Sequence, residues 1–157
     1  MSTTKLSFFE NNRNSVLVLI GITFVVYFKS LFYDFSPMDE DWLIIRDQAF
    51  LNDWSNLAGA FRDAVQGLYY RPVLIVTFIL NYHIGHLDPF IYHFTNLLIH
   101  AFCVAVLYRS LVELETKKMT AFFLALLFAV HPMTLHAVAW IPGRNDLLLC
   151  LFALLSI

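Results

Sequence analysis

From Pro89 to Tyr108 the chain reads PFIYHFTNLLIHAFCVAVLY, twenty residues without Asp, Glu, Lys or Arg, closed by Arg109. At 1.5 Å per residue a helix of that length covers about 30 Å, the hydrocarbon thickness of a bilayer. The whole chain is 59% apolar and only 14% charged. That balance lies outside the range of soluble domains and places the chain in a membrane. The predicted fold class is therefore all-α: an integral membrane helical bundle of about four spans, with interfacial helices in its first outer loop.

Reading toward the N-terminus, residues 72–84 are apolar but too short to span, and they stop at Asn81-Tyr82-His83 before Gly85. They are expected to form an interfacial or re-entrant helix, entered through Tyr69-Tyr70-Arg71-Pro72, where two aromatics and a cation precede a proline suited to a first helical turn. Residues 34–70 hold seven acids against two bases, so 34–88 reads as a hydrophilic outer loop. Within it Trp54, Leu57 and Phe61 share a helical stripe behind Asp53, its candidate N-cap, which predicts a short amphipathic helix over 53–64, either lying on the membrane surface or turning its stripe to a core within the loop. A first span is expected over 14–33, after a cytoplasmic segment 1–13 carrying Lys5 and Arg13, with Lys29 snorkelling to the interface.

Toward the C-terminus the second span runs over 89–112 and the turn 113–118 carries Lys117 and Lys118, which mark it as cytoplasmic. A third span over 119–131 ends at Pro132. An outer turn follows over 132–145, and a fourth span over 146–157 stays apolar to its last residue. The chain is thus expected to be the N-terminal part of a larger protein. In this topology Asp39, Arg71, His131 and Arg144 emerge on one side, and polar groups gathered at membrane depth form a site hypothesis by default.

The net charge of −2 includes no basic patch for nucleic acid. Cys103 and Cys150 lie in apolar runs and suggest neither a disulfide framework nor a metal knuckle. The first apolar run is too long for a signal-peptide core and lacks a small-x-small cleavage site.

Three constellations carry possible chemistry. Asp39-Glu40-Asp41 stands just beyond the first span, where it forms either a solvated loop or the mouth of an active site; three adjacent acids suit a divalent cation or acid-base work without one. Arg71 and Arg144 lie at the outer boundary, where a guanidinium either grips a phosphate through paired hydrogen bonds or snorkels to headgroups. His131 and His136 can donate to the same anion or serve as caps. His86, His93 and His100 recur every seven residues, with Asn96 on the stripe of the last two. That stripe reads as a haem or metal ladder or, more simply, as a hydrogen-bonded seam between helices.

Four motifs in order resemble one family: Asp39-Glu40-Asp41; Tyr69-Tyr70-Arg71-Pro72-Val73; His93-Phe94-Thr95-Asn96-Leu97-Leu98-Ile99-His100; and Phe128-Ala129-Val130-His131-Pro132 running on to Ala137-Val138-Ala139-Trp140-Ile141-Pro142-Gly143-Arg144-Asn145-Asp146-Leu147. From about residue 30 onward the chain resembles the membrane region of the transmembrane and tetratricopeptide-repeat O-mannosyltransferases and their bacterial relatives, which are C-type (GT-C) glycosyltransferases.

The resemblance implies the N-terminal part of that fold and an enzyme that takes a sugar, such as mannose, from a polyprenyl phosphate carrier. Transfer would be to a protein or glycan hydroxyl on the extracytoplasmic face of a bacterial cytoplasmic membrane, or alternatively of the endoplasmic reticulum. Its catalytic pair becomes Asp39 and Glu40, with Asp41, Arg71, His131 and Arg144 as substrate-binding residues. Membrane lipid, the lipid-linked donor and the acceptor are the implied partners. The chain departs from the family pattern at Thr134 and at His136, where relatives tend to carry an acid. The reading from another class is a non-catalytic membrane scaffold or transporter module.

Overall fold

A computed structural model describes residues 11–62 and 69–157. Lys5, Asp63 and the outer ends of the expected segments 1–13 and 53–64 lie outside them. Among the described residues the chain is helical, with no β-strand. Helix α1 (Asn12–Tyr27) starts under the Asn11 side chain, which accepts the Arg13 N–H, and tightens into a 3₁₀ stretch at Phe28–Phe32. The acidic loop holds a π turn at Asp41–Ile45 and two single helical turns, α2 (Gln48–Leu51) and α3 (Asn56–Gly59). Helix α4 (Pro72–Gly85) has its proline in the first turn, and α5 (Pro89–Glu113) follows Asp88, whose carboxylate accepts the Phe90 N–H. Then come α6 (Lys118–Val130), α7 (Thr134–Ala139), a 3₁₀ turn at Ile141–Gly143 and α8 (Arg144–Leu155).

Helix α5 is the axis of the bundle: α1, α6 and α8 all pack on it, and α1 also meets α6. Its inner half packs Val104 and Tyr108 against Leu19 of α1 and against Ala121, Ala125 and Ala129 of α6. The small side chains of α6 allow close helix approach. Two helical stretches, Asn12–Phe32 and Pro89–Glu113, are long and apolar enough to cross a membrane. Helices α6 and α8 have 13 and 12 residues, about 20 Å each. Each nevertheless turns large apolar side chains outward, Phe123, Leu124 and Leu127 on α6 and Leu149 and Phe152 on α8.

The Tyr108 hydroxyl meets the Asn12 side chain at 3.4 Å, so the start of α1 and the end of α5 lie together. Arg13 and Arg109 therefore gather at one end of the bundle, opposite the acidic loop.

That loop is more than a solvated connector. Ile44, Leu51 and Ala60 are buried against Leu74, Ile75, Phe78 and Ile79 of α4, which supplies the loop with its own core. Among the described residues of the predicted amphipathic helix over 53–64, the α-helical part is the single turn α3. Trp54 leaves its stripe to stack on His83 at 3.8 Å, and Phe61 stays exposed, while Leu57 packs on the loop core. Asp53 is not the N-cap, a position held by Ser55; it accepts the Ser55 N–H at 2.9 Å ahead of the turn, and that bond holds its carboxyl below the usual range.

Candidate functional site

A cavity of about 800 Å³ opens where the acidic loop meets α4 and the Trp140–Asp146 segment. Asp39, Arg46, Asp47 and Arg71 contribute charge to its wall, Trp42, Tyr69 and Trp140 supply aromatic surface, and Asn145 and Asp146 close the far side. Arg46 lies 4.2 Å over the Trp42 ring and Arg71 lies 4.6 Å over the Tyr69 ring, so each cation is braced by an aromatic face. Burial pushes the Asp47 carboxyl above its usual range. Among the described residues no group of three His, Cys, Asp or Glu side chains is placed to hold a metal ion.

Of the residues singled out in the sequence, the structure brings Asp39 and Arg71 to this cavity and sends the others elsewhere. Asp39 and Glu40 are adjacent in a helical turn, so their side chains diverge by about 100°. Asp39 is exposed to the cavity, whereas Glu40 is buried. One Glu40 oxygen accepts the Ser36 N–H and the other accepts the Ile141 N–H at 3.0 Å, which ties the acidic loop to the Trp140–Gly143 turn 101 residues later. Asp41 forms an ion pair with Arg46 at 2.6 Å and so orients that cation. His131 is exposed; its Nδ1 accepts the Met133 N–H at 3.2 Å and its carbonyl accepts from Thr134, so it caps the turn into α7. His136 packs on Trp140 at 4.7 Å.

Arg144 departs furthest from expectation. It is completely buried. Its Nε donates to Asn96 Oδ1 at 2.7 Å, and its terminal nitrogens donate to Thr77 Oγ1 and the Tyr92 carbonyl, each at 2.9 Å, with the guanidinium 4.8 Å over Phe78. A phosphate in the cavity does not meet it. Arg144 instead anchors α8 to α4 and α5 through neutral acceptors.

Asn96 completes this anchor. Its amide nitrogen sits 3.2 to 3.5 Å from the carbonyl oxygens of Ala137 and Val138, at the end of α7, and of Trp140 and Ile141, which also take the Gly143 and Arg144 N–H groups of the following turn. Gly143 lets the turn close: a Cβ there would lie 2.8 Å from the His136 carbonyl oxygen and 2.9 Å from the Ala137 Cα. The wall carrying Trp140, Asn145 and Asp146 is therefore fixed from three directions by Glu40, Asn96 and Arg144.

The histidine recurrence dissolves into separate roles. His100 bonds the Ala129 carbonyl of α6 at 3.2 Å, His93 meets the edge of the Tyr33 ring, and the His86 carbonyl accepts the Tyr92 hydroxyl. The simpler seam reading describes His100 and Asn96. The cavity residues missed in the sequence are Trp42, Asp47, Tyr69, Trp140 and Asp146. For Asp146 a signal existed, since it stands in the first turn of α8 immediately after the Gly143-Arg144 motif.

Glu40 carries a pH dependence with a definite sign. Desolvation raises its carboxyl above the usual 4.5; the two backbone N–H groups oppose this and neighbouring Asp39 adds to it. A carboxyl raised in the folded state binds its proton more tightly there, so its contribution to stability is greatest below 4.5 and is lost as pH rises through the folded value. Thermal melts in lipid nanodiscs are expected to show the native protein gaining on Glu40→Gln as pH falls from 7 toward 5. A difference independent of pH contradicts the assignment.

The chain is 31% identical to human protein O-mannosyl-transferase TMTC3 over 152 residues, covering 91% of the chain and 16% of that protein. It is 33% identical to human protein O-mannosyl-transferase TMTC1 over 151 residues, covering 88% of the chain and 17% of that protein. Protein O-mannosyl-transferase F38B6.6 of Caenorhabditis elegans is 30% identical over 155 residues, covering 91% of the chain and 22% of that protein. The chain thus spans less than a quarter of the length of these curated relatives. No family model matches it, and no solved structure does.

Proposed function

The chain belongs to the protein O-mannosyl-transferase family represented by TMTC1 and TMTC3, and on that premise we propose that it forms the active-site mouth of a GT-C-type membrane glycosyltransferase. The reaction moves a mannosyl group from a polyprenyl phosphate carrier to a protein hydroxyl on the extracytoplasmic side. The observation that carries this reading is that Asp39 and Arg71 line one aromatic-walled cavity. A hydroxyl is a weak nucleophile and a phosphate monoester is a charged leaving group, so the reaction calls for a base and a fixed cation facing one space.

Asp39 is the base. As the acceptor oxygen bonds to the anomeric carbon, its proton passes to the Asp39 carboxylate, and the bond from that carbon to the phosphate oxygen breaks. The carrier phosphate leaves with the electron pair against Arg71, with Arg46 nearby. Glu40 and Arg144 do not touch substrate; they hold the wall. Helices α1, α5, α6 and α8 act as four spans, with Arg13, Arg109, Lys117 and Lys118 on the cytoplasmic side and the cavity on the other. The outward apolar faces of α6 and α8 and the contact between Asn12 and Tyr108 support this arrangement.

Arg71 provides the test in the protein expressed from its complete reading frame. Loss of one charge-assisted hydrogen bond to phosphate corresponds to about a ten- to hundred-fold loss of affinity. Arg71→Ala is expected to raise the donor KM by that factor and leave the acceptor KM in place. An unchanged donor KM removes Arg71 from the phosphate.

A further inference from the structure

A second, more open groove of about 560 Å³ lies across the Trp140 indole from the first cavity. Trp140 lines both, and the neighbouring acids divide between them, Asp39 on the larger and Glu40 on the smaller. The chemistry of the two walls differs. The larger has Arg46 and Arg71; the smaller has Asp34, Glu40, Ser36, His93 and His136, with no Lys or Arg among its lining residues. His93 is 1% exposed; the Tyr33 backbone reaches one ring nitrogen at most, and the other has no hydrogen-bond partner among the described residues. A buried polar group left this way is costly, and a ligand that bonds to it removes the cost.

We infer that this groove holds the flank of an extended acceptor peptide, whose hydroxyl reaches Asp39 past Trp140, the residue common to both walls, and that it prefers a basic residue beside that hydroxyl. A phosphate finds no cation here, which leaves the donor to the other cavity. A peptide finds acceptors for its N–H groups in Asp34 and the imidazoles, an aromatic wall in Trp140 and Tyr33, and a negative rim. One Asp34 oxygen accepts the Phe35 N–H and the other is free of that bond. The inference rests on the glycosyltransferase reading above.

The test uses the protein from its complete reading frame in nanodiscs, with two fluorescent peptides that differ only in Lys or Glu beside the acceptor threonine. Transfer and donor-free binding by fluorescence anisotropy are both measured. Native protein is expected to show a KM about three- to five-fold lower for the Lys peptide, the scale of one exposed charge pair. Asp34→Lys is expected to reverse that order. Leu135→Trp, at an exposed position on the groove, is expected to raise both acceptor KM values about ten-fold. The donor KM stays constant throughout.

Transfer with no charge preference in native protein and in Asp34→Lys, or a Leu135→Trp effect on the donor KM instead, overturns the groove assignment and leaves the reaction intact. Charge-ordered binding without any transfer upholds the groove and overturns the glycosyltransferase reading.

Discussion

Asp39→Asn, in the protein expressed from its complete reading frame, is expected to lower mannosyl transfer about a thousand-fold while membrane insertion and the thermal midpoint stay as they are. General base catalysis contributes about 10²- to 10⁴-fold, and the side chain that supplies it here is an exposed carboxylate on the cavity wall. The amide keeps the shape and cannot take the proton. Glu40→Gln gives the contrasting result, because Glu40 is buried and bonded to two backbone N–H groups. One of its oxygens becomes an NH₂ that faces an N–H donor, so stability and activity fall together. Equal loss of activity in both variants with equal loss of stability would place Asp39 in a structural role as well.

Asn96→Leu is expected to be the most destabilising single change, costing about 3–5 kcal/mol. The leucine fills the space but removes the acceptor of the Arg144 Nε and the donor facing the carbonyls of the α7 terminus and of the turn after it. A completely buried guanidinium then loses one of three acceptors, and the buried Val138 carbonyl loses its side-chain donor. Melting in nanodiscs checks this, with Arg144→Lys as comparison. An ammonium has three donors but carries them on one nitrogen, whereas the three acceptors here are spread over three guanidinium nitrogens, so Arg144→Lys is expected to fall between the native protein and Asn96→Leu. A melt of Asn96→Leu within 1 °C of native would show that the wall is held some other way.

The long helices were legible because their signals are local. An uncharged run of spanning length made α5, Asp88 and Pro89 marked its start, and Pro132 stopped α6 at Val130, one residue short of the expected end. The loop was less legible. Its burial pattern rests on Ile44 and Leu51, set in a π turn and a single helical turn, and neither gives a period long enough to read. Only packing on α4 shows that they are core.

The site was legible in residue type and only partly in direction. Sequence puts Arg144 at the boundary of a helix, but whether its guanidinium faces a phosphate or the interior depends on Thr77, Tyr92 and Asn96, which lie 48 to 67 positions away. Asn96 in an uncharged helix was the available hint, since an amide there needs a partner across the bundle. Asp39 and Glu40 could not be separated by type or spacing, and it is the Ile141 N–H that divides them.

The central claim is that the first acidic loop and the start of α8 open into one space on one side of the membrane. Single cysteines at positions 39 and 146, both on the cavity wall, are to be introduced after replacing Cys103 and Cys150, and labelled with a membrane-impermeant maleimide in sealed, oriented vesicles. The account predicts that both react from the extracytoplasmic face and that occupancy of the cavity by polyprenyl phosphate protects both. Labelling of positions 39 and 146 from opposite faces would contradict it.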